Sequence, residues 1–147
     1  MIKKDSSKVT GSVNVVVRGE DGTVKQEFTV PNLVVDSGLD FIASRMEGVT
    51  DAVMSHMAVG TDNTAADAAD TTLGTEIARV ALTTSTVTNN AIAYVASYPA
   101  GTGTGALTEA GIFNDATTGD MLCRTVFAVI NKGAADSMTV TWTVTIS

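Results

Sequence analysis

Met138-Thr139-Val140-Thr141-Trp142-Thr143-Val144-Thr145-Ile146 alternates apolar residues with threonine along its whole length. A period of two marks a β-strand with one buried face. Threonine at 139, 141, 143 and 145 leaves the other face able to meet water or another subunit. Only Ser147 follows, so the expectation is a β-rich body that closes on this strand, without a tail, anchor or further domain.

Working outward, Val9 to Arg18 alternates with Val13, Val15 and Val17 on one face. Glu20-Asp21-Gly22 makes a turn, and Thr23 to Val30 returns, which reads as a hairpin. Pro31 ends the second strand, and residues 1–31 are expected to pack at a sheet edge or on a neighbouring subunit. Asp36 or Ser37 is expected to cap a short helix over about residues 37–47. Its stripe is formed by Leu39, Ile42, Ala43 and Met46, and Gly48 stops it. Met54 to Val59 reads as a strand and residues 60–72 as a polar loop long enough to make contacts. Leu73 to Arg79 reads as a turn of helix, and Val80 to Val87 as one strand that Asn89-Asn90 reverses into Ala91 to Tyr98. Further strands span Ala106 to Phe113 and Met121 to Phe127, with a linker from Ala128 to Ser137. About eight strands and one helix predict a mainly β single domain over residues 1–147, an antiparallel β-sandwich or partly closed barrel.

The chain has 147 residues, long enough for a core without disulfides or metal staples. Its one cysteine, Cys123, sits in an apolar stretch and reads as a buried, inert thiol. The polar start Met1-Ile2-Lys3-Lys4-Asp5-Ser6-Ser7-Lys8 has no secretory pattern, and no apolar run reaches membrane-spanning length. Synthesis in a cytoplasm and no membrane partner are therefore expected. A net charge of −7 argues against nucleic acid. Between Glu47 and Ala78 six acids occur without a Lys or Arg, and Asp62, Asp67 and Asp70 mark the long loop as a candidate acidic docking surface.

Sites that carry chemistry are sparse. Gly101-Thr102-Gly103-Thr104-Gly105 lacks the Lys-Ser/Thr and helix of a phosphate cradle. His56 is the only histidine, and Asp62, Asp67 and Asp70 lack calcium-loop spacing, so no metal or cofactor is expected. Ser55 and His56 occupy adjacent, opposite-facing strand positions, unsuited to a nucleophile and its base. Glu109 and Arg124 sit in two apolar strands joined by one turn, which predicts a cross-strand ion pair, opposite or diagonal. Glu76 and Arg79 form a second pair. As glycosidase carboxylates, Glu76 and Glu109 would each be held ionised by an arginine, the opposite of a general acid. Trp142, Tyr94, Phe113 and Phe127 read as core anchors, Tyr98 as a core or interface anchor, and no catalytic residue is assigned.

Several runs together resemble a structural module of tailed bacteriophages, similar to tail-fibre or tail-collar proteins. They are Asn32 to Gly38, Met57 to Thr64, Asp70 to Arg79, Leu107 to Asn114, Met121 to Phe127, Ile130 to Lys132 and Thr139 to Ile146. The resemblance implies a non-enzymatic, self-associating virion component of β-sandwich type. The chain departs from a full-length fibre in lacking a repetitive shaft, a coiled coil and a receptor-binding tip. The expected role is accordingly an oligomeric adaptor or fibre-base module of the tail, with a capsid decoration (cement) protein as the close alternative. A module binding or hydrolysing host-surface glycans, suggested by Trp142, Tyr94 and Tyr98, is the distant one. Expected partners are the chain itself, as a homotrimer, and other virion proteins.

Overall fold

The Thr/apolar run is a strand, Ser137–Ile146, and it occupies the centre of a five-stranded antiparallel sheet. The computed structural model describes residues 7–48 and 51–147; residues 1–6 of the polar start lie outside the described residues. The elements are β1 (Val9–Arg18), β2 (Val24–Pro31), β3 (Leu33–Val34), α1 (Asp36–Met46), β4 (His56–Gly60), β5 (Glu76–Ala81), β6 (Thr84–Thr88), β7 (Ala91–Tyr98), β8 (Gly105–Phe113), β9 (Met121–Lys132) and β10 (Ser137–Ile146). The first sheet has the order β2-β1-β10-β7-β6 and the second β3-β9-β8-β4-β5. The fold is mainly β and sandwich-like, with no closed barrel.

Side-chain alternation explains the layering. In β10, Met138, Val140, Trp142 and Val144 turn inward. They meet Val13, Val15 and Val17 from β1, Tyr94, Ala96 and Tyr98 from β7, and Met57, Leu107, Ile112 and Ile130 from the second sheet. β4 is buried on both faces: Met57 and Val59 enter this core, while Ala58 joins Val35, Leu73, Phe113 and Met121 in a smaller cluster outside the second sheet. A strand covered on both sides needs a further layer, and α1 and the long loop after β4 supply it. Among the described residues, the outer face of the first sheet carries no such cover.

Four local expectations are corrected. Val80 to Val87 is not one strand, because Leu82 N–H donates to Ser55 O beside the second sheet and Thr83 N–H to Val95 O in the first. The chain changes sheets between them, which adds one strand, and β3 adds another, giving ten among the described residues. Leu73 to Arg79 is loop and strand rather than a helical turn, and β9 runs on to Lys132 through half of the expected linker, across a register shift opposite Leu107 and Glu109. The helix cap is also different. Neither Asp36 nor Ser37 caps by its side chain; Val35 N–H donates to Leu122 O, Asp36 N–H to Ala68 O, and the Ser37 hydroxyl to Met121 O. Gly48, at φ 74°, terminates α1 as a left-handed residue.

The helix also turns a different face inward. Leu39, Ala43 and Met46 are exposed, whereas Gly38 is buried and Phe41 and Ile42 pack on the core. Gly38 sets this orientation, because a Cβ there would run into the backbone carbonyl of Leu122. β9 is held on both sides and its carbonyl cannot yield. Gly38→Ala is therefore expected to destabilise by about 2–3 kcal/mol in urea unfolding. A cost below about 0.5 kcal/mol would contradict this docking of α1.

Candidate functional site

The charged side chains that the apolar strands carry converge on the outer face of the second sheet. Register pairs Glu109 with Val126 and Gly111 with Arg124, so Glu109 and Arg124 are diagonal neighbours on one face. Arg124 donates from Nε (3.1 Å) and Nη2 (2.9 Å) to Glu109 Oε2. The carboxylate also accepts three backbone N–H groups: Asp62 (3.2 Å) and Thr75 (2.7 Å) on Oε1, and Gly74 (2.9 Å) on Oε2. Arg124 Nη1 reaches Asp70 Oδ2 at 3.0 Å and Nη2 reaches Thr64 O at 3.1 Å. Glu109 is 0% exposed and Arg124 2%. A buried pair costs several kcal/mol to desolvate unless its remaining donors and acceptors are met; here the long loop meets them.

That loop, residues 61–75, is closed at its base by Thr61 N–H donating to Thr75 O (3.0 Å). Its three aspartates are used within it. Asp62 Oδ1 accepts the amide and hydroxyl of Thr64, Asp67 Oδ1 accepts Ala69 N–H, and Asp70 Oδ2 takes Asp67 N–H together with Arg124. Leu73 anchors the return limb in the cluster with Val35, Ala58, Phe113 and Met121. The sequence shows a polar, contact-making loop, and the structure shows what it contacts: the buried pair beneath it. The fit is close at two glycines: a Cβ at Gly60 would strike both Thr75 O and the Glu109 carboxylate, and one at Gly74 would strike the Asp62 carboxylate.

Arg79 performs a parallel task at the sheet edge. Residues three apart on a regular strand face opposite ways, yet Arg79 donates from Nε and Nη2 to both oxygens of Glu76, at 3.1 and 2.7 Å. A register shift between Val59 and Gly60 inserts Ile77 as the extra residue, which brings the pair to one face. Arg79 Nη1 then donates to Asp115 O and Thr118 O, and the guanidinium lies 3.7 Å from the Phe113 ring centroid. Arg79 thus fastens the turn at 114–120. The Thr117 and Thr118 amides hold the Asp115 carboxyl at about 2, and the Thr64 amide and hydroxyl lower that of Asp62.

The sign of the pH dependence follows. Carboxyls depressed in the folded state contribute stability above the ordinary carboxylate range, and it is lost as pH falls through their folded values. Acidification from about pH 4 towards 2 should therefore loosen both turns. Amide resonances of Thr64, Thr117 and Thr118 are expected to move in that window, with the Asp115 turn titrating near 2. Titration of that turn at the ordinary Asp value would contradict the geometry.

Other groups singled out by sequence fall elsewhere. Glu76 and Glu109 flank Gly60 in one row of the second sheet, but Glu109 is solvent-free and its oxygens accept from Arg124 and three loop amides. The Ser55 hydroxyl lies 2.8 Å from His56 Nδ1, so the expectation that adjacent positions keep the two apart is corrected: Ser55 precedes β4 and is free of its alternation. No group of three or more His, Cys, Asp and Glu side chains that could hold a metal gathers among the described residues. No helix among them is long and apolar enough to cross a membrane.

Trp142 and Tyr98 are 0% exposed, and Tyr94, Phe113 and Phe127 are buried, so these rings form no open sugar platform. Burial pushes the Tyr94 hydroxyl up to about 12 and the Cys123 thiol well above its usual value. Gly101 and Gly103 adopt left-handed conformations in the connection that leads into β8. Sequence reasoning missed Lys132. It is 2% exposed and donates to Pro99 O (3.1 Å) and Asp136 O (2.6 Å), while Asp136 Oδ2 accepts from Lys25 at 2.7 Å. The available signal was a lone lysine ending an apolar run.

The described residues thus form a ten-stranded, two-sheet antiparallel sandwich with its buried charges committed to fastening loops. No protein-family model matches the chain, and no curated protein or solved structure matches it.

Proposed function

We propose that this chain is a non-enzymatic structural protein of a tailed-bacteriophage virion, an oligomeric adaptor or fibre-base module of the tail that acts by subunit docking. One observation carries the reading. Four of the sequence runs that resemble tail-fibre and tail-collar modules, dispersed between residues 57 and 127, meet in space at the Glu109–Arg124 node. Met57 to Thr64 supplies β4, the Asp62 amide and the Thr64 carbonyl; Asp70 to Arg79 supplies Asp70, the Gly74 and Thr75 amides and the Arg79 clamp. Leu107 to Asn114 and Met121 to Phe127 supply Glu109 and Arg124 themselves. Four of the seven runs that carry the resemblance thus build one charge node. Such use of charge suits a part whose work is to hold a shape among neighbours.

Quantitative mass spectrometry of purified particles of the encoding phage tests this. A few copies per particle support a tail position, and copies in the hundreds support the decoration alternative on the head. Absence from the particles contradicts both.

A further inference from the structure

We infer that the bare outer face of the first sheet is a self-association surface whose occupant is a second copy of this chain. The inference deepens the structural-module reading and takes its biological setting from it.

The two sheets differ on their outer sides. The second is roofed by α1 and residues 61–75, fastened by Glu109, Arg124 and Arg79. Among the described residues nothing roofs the first, and its middle rows carry no charge across β1, β10, β7 and β6; Arg18 at the end of β1 and Glu27 on β2 stand at its margin. One row reads Asn14, Thr141, Val95, Thr84; the next reads Ser12, Thr143, Ala93, Thr86. Residues 80–108, which build β6 and β7, contain no Asp, Glu, Lys, Arg or His at all. At the border, β6 is exposed at every position, with neither a charge nor a proline to guard its edge.

Charge selects the occupant. The molecule as a whole carries −7, so two copies repel wherever their acidic surfaces meet and repel least across this neutral face. A basic partner would be drawn to the acidic surfaces instead, since the middle rows of this face offer no counter-charge and Glu27 stands only at its margin. Threonine both donates and accepts through its hydroxyl, so a threonine face is complementary to itself when two copies meet about a two-fold axis.

Area sets the strength. Four strands by seven residues, at spacings of ~4.8 and ~3.4 Å, give a footprint of ~450 Å² per copy. That is smaller than the ~800 Å² per partner of a standard stable interface. The free protein should therefore associate reversibly and weakly, and the contact becomes persistent when many copies are held side by side.

Sedimentation equilibrium of the full chain over rising concentration tests this. Wild type should show reversible self-association, and Thr143→Glu should weaken it by about ten-fold or more. Thr72→Glu, on an exposed loop position over the other sheet, should leave it unchanged. Mixing Thr143→Glu with Thr143→Lys should restore it. If Thr143→Glu lowers the melting temperature, Ser97→Glu, exposed on the same face, replaces it. A wild type that stays monomeric throughout, or equal weakening by Thr72→Glu and Thr143→Glu, overturns the inference. Either result leaves the virion reading to the particle measurement, and absence from particles leaves self-association standing.

Discussion

Glu109→Ala is expected to destabilise the fold by about 3–5 kcal/mol, the cost of leaving a buried charge without its partner. The physical reason is what the carboxylate satisfies. Removing it takes from the Arg124 guanidinium, 2% exposed, its buried carboxylate and leaves it only Asp70 and the Thr64 carbonyl, and also deprives the Asp62, Gly74 and Thr75 amides of their acceptor. Glu109→Gln should rescue only part of the loss, because its amide nitrogen is a donor placed among donors. Replacing both Glu109 and Arg124 with apolar residues, often harmless for a simple buried pair, should remain destabilising here, since the three loop amides stay unmet. Urea unfolding reads all three variants. A cost for Glu109→Ala below about 1 kcal/mol would mean that the pair behaves as a solvent-screened surface contact.

Trp142→Ala is expected to cost about 3–5 kcal/mol, as large-to-small changes of buried aromatic residues do. Trp142 is 0% exposed at the middle of the central strand, opposite Val13 on β1 and Tyr94 on β7. Its indole Nε1 is buried and has no hydrogen-bond partner. Trp142→Phe should therefore cost markedly less, about 1–2 kcal/mol, because the lost volume is partly offset by removal of an unmet donor. Thermal unfolding followed by circular dichroism separates the two variants. Equal costs would show that the ring nitrogen is satisfied in solution.

These two residues also mark where the sequence was legible and where it was not. The alternation from Met138 to Ile146 identifies a strand and its buried face because a period of two is local. That the strand lies at the centre of its sheet, between β1 and β7, depends on pairings with residues more than a hundred positions and some forty positions away, which no local pattern encodes. Val80 to Val87 alternated well enough to read as a single strand, but the corner at Leu82 and Thr83 keeps an extended backbone while changing sheets, so periodicity did not reveal it. In α1, apolar spacing favoured Leu39 and Met46, and steric contact decided otherwise: Gly38 is the position that allows close approach to Leu122.

The charge node was half legible. Two opposite charges inside adjacent apolar strands pointed to a pair, and the diagonal register brings them together. The other half, backbone amides donated by a loop thirty-four to forty-seven residues away, had no side-chain signature, because any residue type carries an N–H. The loop's aspartates drew attention for their charge, whereas its amides and Leu73 fasten it.

Native-state hydrogen exchange at the loop tests the account most directly, since all of it rests on residues 61–75 forming a fixed layer over the second sheet and leaving the first sheet's outer face as the open one. The amides of Asp62, Gly74 and Thr75 should be protected to nearly the same degree as those in β8 and β9, because opening them exposes the buried carboxylate. Exchange of these three amides at the rate of an unstructured loop, with β8 and β9 still protected, would contradict it.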